Sequence, residues 1–344
     1  MKKFMKMIGL CIALVFCLSG CGKNNSTGAV FLYDAKDTFI SEMTDALLSH
    51  LPGGISLDVF DAGNSQAAQN RQIVECLEDG TRLFIINAVD RLACSSIVEK
   101  CSGIDDVNII FFNREPLADA LSGKGNIYYV GAAADSLGEK QADMVAELFG
   151  DQFAGGEYDK NRDGIVQLVI LKGEQGHQDA EKRTANCVSR MKALGFSIEV
   201  LAIEAADWNR DNAKVAMEKL YTKYGGSIEL IFANNDDMAL GAIDYLREQG
   251  VFAVSSDRYS QPIVVAGVDG TGVGLEAVRD GFLYGTVHND FKKQANAVNI
   301  LAEYLVQGDD ISTFPYRITG EHYIYIDGDI ITLENLDQYT DEMD

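Results

Sequence analysis

Proline is scarce in this chain, with four residues in 344, and no low-complexity tract interrupts the sequence. We therefore expect it to fold compactly from end to end. Because 344 residues exceed what one hydrophobic core usually serves, we predict two lobes. Basic residues are also few, 29 against 52 acidic ones, for a formal net charge of -23. Such an acidic chain repels nucleic acid and anionic lipid headgroups, so we predict no nucleic-acid partner.

Cysteine pairs of the Cys-x-x-Cys type are absent, which argues against a zinc knuckle or a thioredoxin-like site. The four cysteines downstream of the N-terminal segment each lie in an apolar helical pattern. We predict that they are small buried hydrophobic residues, although the sequence leaves a disulfide among them open. These cysteines are Cys76, Cys94, Cys101 and Cys187.

Long apolar runs are also lacking, apart from one at the N-terminus. Three lysines within the first six residues precede an apolar stretch at 8–18, which is too short to span a bilayer comfortably. Small residues then lead into Cys21, a pattern that resembles the bacterial lipobox. We predict that 1–20 is a lipoprotein signal peptide, that Cys21 carries the lipid, and that 21–28 is a tether. An ordinary secretory signal is the alternative, and both place the protein outside the cytoplasm.

Short β-branched runs alternate with amphipathic stretches along nearly the whole remaining chain. The run at 83–89 is almost continuously apolar, as is typical of a strand buried on both faces. Alternation of strands and helices indicates parallel sheets with helices on both faces. We therefore predict an α/β fold with two doubly wound parallel-sheet lobes.

A polar series follows the predicted strands, at the edge where ligands of open parallel sheets bind. Short carboxylates and carboxamides accept and donate paired hydrogen bonds, which suits a neutral polyhydroxylated ligand. Two aromatic residues offer flat apolar faces that suit the C–H faces of a pyranose ring. The candidate substrate-binding residues are Asp37, Phe39, Asn87, His177, Asp179, Arg183, Trp208, Asn235, Asp269 and Asn289.

Each of these residues also has an ordinary interpretation. Asp or Asn after a strand is commonly a helix N-cap. Asp179 and Arg183, four residues apart, are at the spacing of a surface ion pair. A lone tryptophan usually belongs to the core. The concentration of all ten at one end of two sheets favours a binding site.

The acidic loop at 159–167 has the spacing of an EF-hand, with oxygen side chains at its first, third, fifth and ninth positions and glycine at the sixth. The twelfth position, normally a glutamate, is Ile170. Without that glutamate the loop is either a broken EF-hand or an ordinary Asp/Gly turn. Hard oxygen donors without histidine or cysteine exclude zinc and favour calcium.

At these residues the chain resembles the galactose/glucose-binding protein family of bacterial ABC sugar importers. The resemblance extends from about Val30 to about Leu336. Its most specific segments are FFNREP at 111–116, LKGEQGHQDA at 171–180 and GTVHND at 285–290. The ten candidate residues match the sugar contacts of that family without substitution.

The resemblance implies two lobes joined by three hinge crossings, one lobe from 29–112 plus 290–320 and the other from 113–289 plus 321–344. It implies that Phe39 and Trp208 enclose the sugar ring. It also implies that Asp37 binds the C4 hydroxyl of either epimer, so that both D-galactose and D-glucose are accepted.

The resemblance further implies that Glu229, from a distant strand, completes a structural calcium site in the second lobe. The predicted calcium ligands are then Asp159, Asn161, Asp163, Ile165 through its carbonyl, Gln167 and Glu229.

The predicted function is that of a monomeric binding protein whose closed form presents a surface to an ABC permease. Some relatives also present it to chemoreceptors. A different hexose or a galactoside is the alternative ligand.

A hydrolase using Asp179 and His177 is a further alternative, but we expect Arg183 to keep Asp179 ionised. The sequence contains no nucleophile elbow, HExxH motif or phosphate loop. A sugar-responsive transcription regulator would need a helix-turn-helix where the signal peptide lies.

Overall fold

A computed structural model describes residues 27–122, 125–150, 153–253 and 261–342. The predicted signal peptide and Cys21 lie outside these ranges. The strands are β1 Gly28–Leu32, β2 Leu57–Asp61, β3 Leu83–Ile86, β4 Asn108–Phe112, β5 Ile127–Ala132, β6 Ile165–Lys172, β7 Ser197–Ala205, β8 Leu230–Ala233, β9 Val264–Asp269, β10 Gly285–His288, β11 Tyr323–Ile326 and β12 Asp329–Thr332.

Helices alternate with these strands. They are α1 Thr38–Ser49, α2 Gln66–Glu78, α3 Cys94–Cys101, α4 Ala118–Leu121, α5 Ala134–Phe149, α6 Gln178–Ala193, α7 Arg210–Tyr224, α8 Asp236–Glu248, α9 Gly272–Arg279 and α10 Phe291–Gln307. Within the described residues, no helix combines the length and the apolar character needed to cross a membrane.

The strands form two six-stranded sheets, which confirms the predicted pair of doubly wound α/β lobes. The first sheet has the order β11-β5-β4-β3-β1-β2, and all its neighbouring strands are parallel. The second has the order β12-β10-β9-β8-β6-β7, in which β12 alone runs antiparallel, to β10.

Both faces of each sheet are packed because successive residues of a strand point to opposite sides. In β1, Val30 and Leu32 belong to one apolar cluster, whereas Ala29 and Phe31 belong to another. The second sheet likewise separates two clusters. Burial on both faces explains why inner strands such as β3 and β4 are almost continuously apolar.

The chain passes between the two sheets three times. It crosses between β5 and α5 near residue 133, between β10 and α10 at 289–290, and between β11 and β12 at 327–328. Helix α5 then packs on α6 in the second lobe, and α10 packs on α1 in the first. The number of crossings is the number that the resemblance implies.

The predicted lobe boundaries are wrong for two strands. Strand β5, expected in the second lobe with the rest of 113–289, pairs with β4 in the first sheet. Strand β11, expected in the second lobe with 321–344, pairs with β5. Gly28, expected to end the tether, begins β1. Local pattern identifies a strand but does not specify which sheet it joins, because that depends on long-range pairing.

The four cysteines within the described residues are buried and form no disulfide there, which confirms that they pack as small hydrophobic residues. Burial raises the pKa of Cys94 and of Cys187 to about 12. The reactive thiolate is therefore disfavoured at these positions.

Candidate functional site

A cavity lies between the lobes, beyond the carboxyl ends of both sheets. Nine of the ten predicted binding residues line it. The lining residues are Tyr33, Asp37, Phe39, Ile40, Asn113, Arg114, His177, Asp179, Arg183, Trp208, Asn235, Asp269 and Asn289.

Asp37 and Phe39 reach the cavity from the first turn of α1. Asp37 caps this helix, because its Oδ1 accepts a hydrogen bond from the Ile40 amide at 3.0 Å. Its other oxygen accepts from the Tyr33 hydroxyl. The ring of Phe39 packs edge-on against Phe291, with ring centroids 6.3 Å apart. Capping and cavity lining are therefore compatible roles, since the cap holds Asp37 in place on the wall.

His177 caps α6 in the opposite lobe. Its Nδ1 accepts a hydrogen bond from the Asp179 amide at 3.1 Å. Burial, together with the charges of Arg114 and Arg183, holds the pKa of His177 well below its usual value, so the ring is neutral. With Nδ1 accepting, the proton of the neutral ring lies on Nε2, which can donate to a hydroxyl.

Arg183 lies between two carboxylates in the floor of the site. Its Nη2 is 3.3 Å from Asp179 Oδ2, and its Nη1 is 3.4 Å from Asp269 Oδ1. Nη1 also donates to the Asn234 carbonyl at 2.8 Å. The side chains of Asp179 and Arg183 are only 2% and 3% exposed, so the interpretation as a surface ion pair is wrong.

Two polar atoms of this pair have no hydrogen-bond partner among the described residues, namely Asp179 Oδ1 and Arg183 Nε. Buried polar groups are rarely left unpaired, because losing their hydration without compensation is costly. Asp179 Oδ1 is an acceptor, so a ligand hydroxyl in the cavity would satisfy it.

Burial also outweighs the attraction of Arg183 in its effect on Asp179. It raises the pKa of Asp179 to about 6, and it raises the pKa of Asp269 well above its usual value. Arg183 lowers the pKa of Asp179, as expected, but the loss of hydration exceeds the effect of this one cation, so the net shift of the pKa is upward.

The raised pKa of Asp179 predicts a pH dependence of stability. The pKa is 3.8 for the exposed group and about 6 in the folded protein. The stability contributed by this group is therefore fully present below pH 3.8 and is lost as the pH rises through about 6. We expect the free energy of unfolding of Asp179→Asn, relative to the wild type, to rise by about 2–3 kcal/mol between pH 4 and pH 8.

Urea unfolding at four pH values measures this difference. The comparison with the wild type is needed because the lowered pKa of His177 changes stability in the opposite direction in both proteins. A difference that stays constant with pH would contradict the prediction.

Trp208 follows β7 in a strained turn. Asp207 and Trp208 have φ values of 51° and 64°, in a region that non-glycine residues rarely adopt. The indole packs edge-on against His177, with centroids 4.9 Å apart, and Asn235 donates to its carbonyl at 3.3 Å. A Cβ on Gly173 would lie 2.3 Å from this ring. Trp208 also packs against the apolar core of the second lobe, so it belongs both to the core and to the cavity wall.

Asp269 and Asn289 complete the second lobe's wall. Asn289 Nδ2 donates to Asp269 Oδ1 at 3.1 Å, and Asn289 Oδ1 accepts from Gln294 at 2.7 Å. Asp269 has a φ of 125°, a conformation that persists only when its surroundings enforce it.

Asn87 is the one predicted binding residue that does not line the cavity. It is fully buried and donates to the side chain of Asn113 at 3.2 Å, while its Oδ1 accepts from the Tyr33 amide at 3.3 Å. Asn113 lines the cavity instead and directly follows β4. Asn87 follows β3 as Asn113 follows β4, so the rule of reading the residue after each strand identifies both residues equally well.

Arg114 is a second lining residue that the sequence reasoning missed. Its guanidinium lies 3.9 Å from the Tyr33 ring centroid, donates to the Val89 carbonyl at 2.8 Å, and pairs with Glu174 of the other lobe at 2.7 Å. At the other side of the cleft, Thr38 donates to Asp237 at 2.7 Å. These interlobe contacts show the closed arrangement.

The acidic loop lies in the second lobe, away from the cavity. Asp159 accepts from the amides of Asp163 at 3.1 Å and Gly164 at 3.1 Å, and Glu229 accepts from the amide of Gln167 at 3.1 Å. Gln167 donates to Asp163 at 3.0 Å, but its Oε1 is buried and has no hydrogen-bond partner in the described part of the chain.

The fit of this loop to calcium depends on more than its carboxylates. Within the part of the chain that the structure describes, no three His, Cys, Asp or Glu side chains lie together in a group that could hold a metal ion. The remaining donors are amide and carbonyl oxygens, which calcium accepts. The unpaired Gln167 oxygen is such a donor, so the residues fit calcium in their chemistry.

Comparison with known proteins finds one matching family and several similar proteins. Residues 28–310 match the periplasmic binding protein domain family. The D-galactose/methyl-galactoside binding periplasmic protein of Haemophilus influenzae is 34% identical over 313 residues, which cover 90% of this chain and 90% of that protein. The xylitol-binding protein of Mycolicibacterium smegmatis is 28% identical, covering 88% of this chain and 80% of that one. An ABC transporter solute binding protein from Bacillus halodurans, solved with bound myo-inositol, matches with a TM-score of 0.74 and 25% identity, covering 93% and 100% of the two chains.

Proposed function

The chain belongs to the periplasmic binding protein domain family, and from that premise we propose that it captures D-galactose and D-glucose between its lobes for an ABC importer. The family consists of extracytoplasmic sugar-binding transport proteins and not of enzymes. Membership of this family therefore implies that the chain binds a sugar and does not catalyse a reaction on it. The identity of the sugar is our proposal.

The observation that carries the proposal is the composition of the cavity wall. Aromatic rings from opposite lobes, Phe39 and Trp208, line one cavity together with three carboxyl groups, of which two are buried and that of Asp37 is half-buried. Hydroxyl groups are the donors that such carboxylates need, and pyranose C–H faces suit the rings. A neutral hexose supplies both features. An anionic ligand would add charge beside carboxylates whose pKa values burial already raises.

The preference for galactose and glucose has two supports. The relative from H. influenzae is named for D-galactose and methyl-galactoside. In addition, Asp37 presents two carboxylate oxygens at the cavity, and a carboxylate accepts up to about four hydrogen bonds. Each oxygen therefore keeps capacity for a C4 hydroxyl in either configuration, beyond its bonds to Ile40 and Tyr33.

Calorimetric titration of residues 22–344 tests this function. We expect galactose and glucose to bind with one-to-one stoichiometry, and ribose, arabinose, xylitol and myo-inositol to bind far more weakly. Binding of a pentose or a polyol but of neither hexose would overturn the proposal. Sugar-dependent fluorescence provides a second signal, because Trp208 is the only tryptophan in the chain.

Delivery and anchoring form the rest of the proposal. Closure around the sugar presents a surface from both lobes to the permease, and a chemoreceptor is a further partner for the same surface. We place the protein at the membrane through a lipid on Cys21. Substitution of Cys21 by Ala in the host should release the protein from the membrane fraction, whereas retention would contradict lipid anchoring.

We also propose that calcium binds the acidic loop and joins it to Glu229 at the edge of β8. An ion present at a thousand-fold excess over its dissociation constant contributes about 4 kcal/mol of stability. At roughly 2–4 °C per kcal/mol, EDTA should lower the melting temperature by about 10 °C, and added calcium should restore it.

Glu229→Gln should melt at the same temperature with and without EDTA. Glu199→Gln is the matched control, because Glu199 is exposed on β7 opposite Gln167 and is not a predicted calcium ligand. It should keep the full response to EDTA. A wild type that does not respond to EDTA would contradict the calcium site and leave the sugar proposal intact.

A further inference from the structure

Asp236 is a buried carboxylate that the proposed sugar site does not use directly. It is 0% exposed, is not part of the cavity wall, and forms no ion pair with any lysine, arginine or histidine of the described chain. It directly follows Asn235 and begins α8. A carboxylate at the N-terminus of a helix is favoured by the exposed amides there, but a buried one still needs several hydrogen bonds.

Those hydrogen bonds come from the loops that carry the sugar site. Asp236 Oδ2 accepts from the Thr271 amide at 3.0 Å and from the Thr271 hydroxyl at 3.3 Å. Its Oδ1 accepts from the Thr286 hydroxyl at 2.7 Å, and Thr286 in turn accepts from the Gly270 amide at 3.2 Å. One carboxylate therefore holds both residues that follow Asp269.

The backbone at Gly267 and Gly274 closely encloses the carboxylate of Asp236. A Cβ on Gly267 would lie 2.2 Å from Asp236 Oδ1, and a Cβ on Gly274 would lie 2.2 Å from Oδ2. Both glycines thus permit the carboxylate to approach the backbone of β9 and the start of α9. The enclosure is tight, so Asp236 has no freedom to turn toward the cavity.

The segment that Asp236 holds is strained. Asp269, whose carboxylate faces Arg183 and lines the cavity, has a φ of 125°. Strained backbone of this kind persists only where surrounding contacts enforce it. The hydrogen bonds to Gly270 and Thr271 are the contacts immediately after this residue in the chain.

From this geometry we infer that Asp236 is a positioning residue, which aims Asp269 at the sugar by fixing residues 270 and 271. It does not touch the sugar. The inference rests on the proposed function, because Asp269 is assigned to a hexose. Burial raises the pKa of Asp236 to about 7, and the hydrogen bonds from Thr286 and Thr271 offset only part of this effect.

A double-mutant cycle tests this inference. Asp236→Ala removes the acceptor, and we expect it to raise the dissociation constant for galactose by roughly 10- to 100-fold, as the loss of hydrogen bonds to a charged group does. In a background of Asp269→Asn, the same change should raise the constant by no more than about threefold, because residues acting through one another are not additive. Equal effects in both backgrounds would overturn the inference.

Thr286 supplies a milder variant in case Asp236→Ala fails to fold. Thr286→Val removes the relay between Asp236 and the Gly270 amide and should weaken galactose binding, whereas Thr286→Ser keeps the hydroxyl and should restore it. Failure of serine to restore binding would indicate packing and would overturn the role of the relay.

Asp244→Asn is the matched control on the same helix, where Asp244 pairs with Arg210 at 2.7 Å outside the cavity. It should leave the dissociation constant unchanged, and a change equal to that of Asp236→Ala would overturn the inference. Trp208 fluorescence reports binding in every variant. A wild type that binds no hexose would instead fail the proposed function, a result that the calorimetric panel detects separately.

Discussion

Replacement of Arg183 by Met is expected to raise the dissociation constant for galactose by about thirtyfold or more. Arg183 lines the cavity and is the cation between the buried carboxylates of Asp179 and Asp269. Truncating one partner of a buried charge pair at a binding site costs roughly 2–5 kcal/mol of binding energy, because the remaining charge is left without compensation. Each 1.4 kcal/mol corresponds to about a tenfold change in affinity. Calorimetry at pH 8 measures the effect while both carboxyl groups are most ionised.

The control for this prediction lies on the same helix. Arg190 pairs with Asp143 at 2.6 Å, but the two side chains are 40% and 34% exposed. Exposed pairs contribute about 0–1 kcal/mol, so Arg190→Met should leave sugar affinity unchanged and barely affect stability. Wild-type affinity in Arg183→Met would show that the paired carboxylates do not form the sugar site. Melting curves of both variants separate loss of affinity from loss of fold.

The second large effect is expected at Trp208. Substitution by Leu keeps an apolar side chain for the core contacts but removes the broad flat face from the cavity. Central aromatic residues commonly account for about 2–4 kcal/mol of binding energy, which corresponds to a 30- to 1,000-fold rise in the dissociation constant. Calorimetry measures this change, since the variant lacks the fluorescent residue.

A variant that displaces the indole without removing it separates position from presence. In Gly173→Ala the new Cβ would lie 2.3 Å from the ring, so the ring must move. We expect an intermediate loss of affinity, with Trp208 fluorescence still present. Gly226→Ala is the control, because no atom lies within 4 Å of its added Cβ. If Gly173→Ala binds as tightly as the wild type, Trp208 does not contact the sugar from its present position.

Features that depend on neighbouring residues could be predicted from the sequence, whereas features that depend on contacts between distant segments could not. Strand-helix alternation predicts the two-sheet architecture because burial on both faces leaves continuous apolar runs. The sequence does not predict the two C-terminal strands, and the predicted lobe boundaries are wrong at β5 and β11. Those strands have ordinary local patterns, and their place in the sheet is decided by pairing with segments far along the chain.

The site shows the same division. Nine of the candidate residues after the strands line one cavity, because parallel strands bring their carboxyl ends to one edge. The exception, Asn87, also follows a strand, but tertiary packing turns its amide toward Asn113 and the Tyr33 backbone. Arg114 was missed because its role depends on Glu174, which lies in the other lobe.

The amino-acid sequence by itself determined the class of fold, the edge of the sheets where the ligand site lies, and nearly all the chemical groups available there. These features follow from local periodicity and from residue type. Tertiary structure alone decided which polar residues meet in one cavity, that burial rather than Arg183 dominates the pKa of Asp179, and that Asp236 holds the loop behind Asp269. Desolvation and long-range hydrogen bonds depend on atoms that are distant along the chain, and only the folded arrangement brings them together.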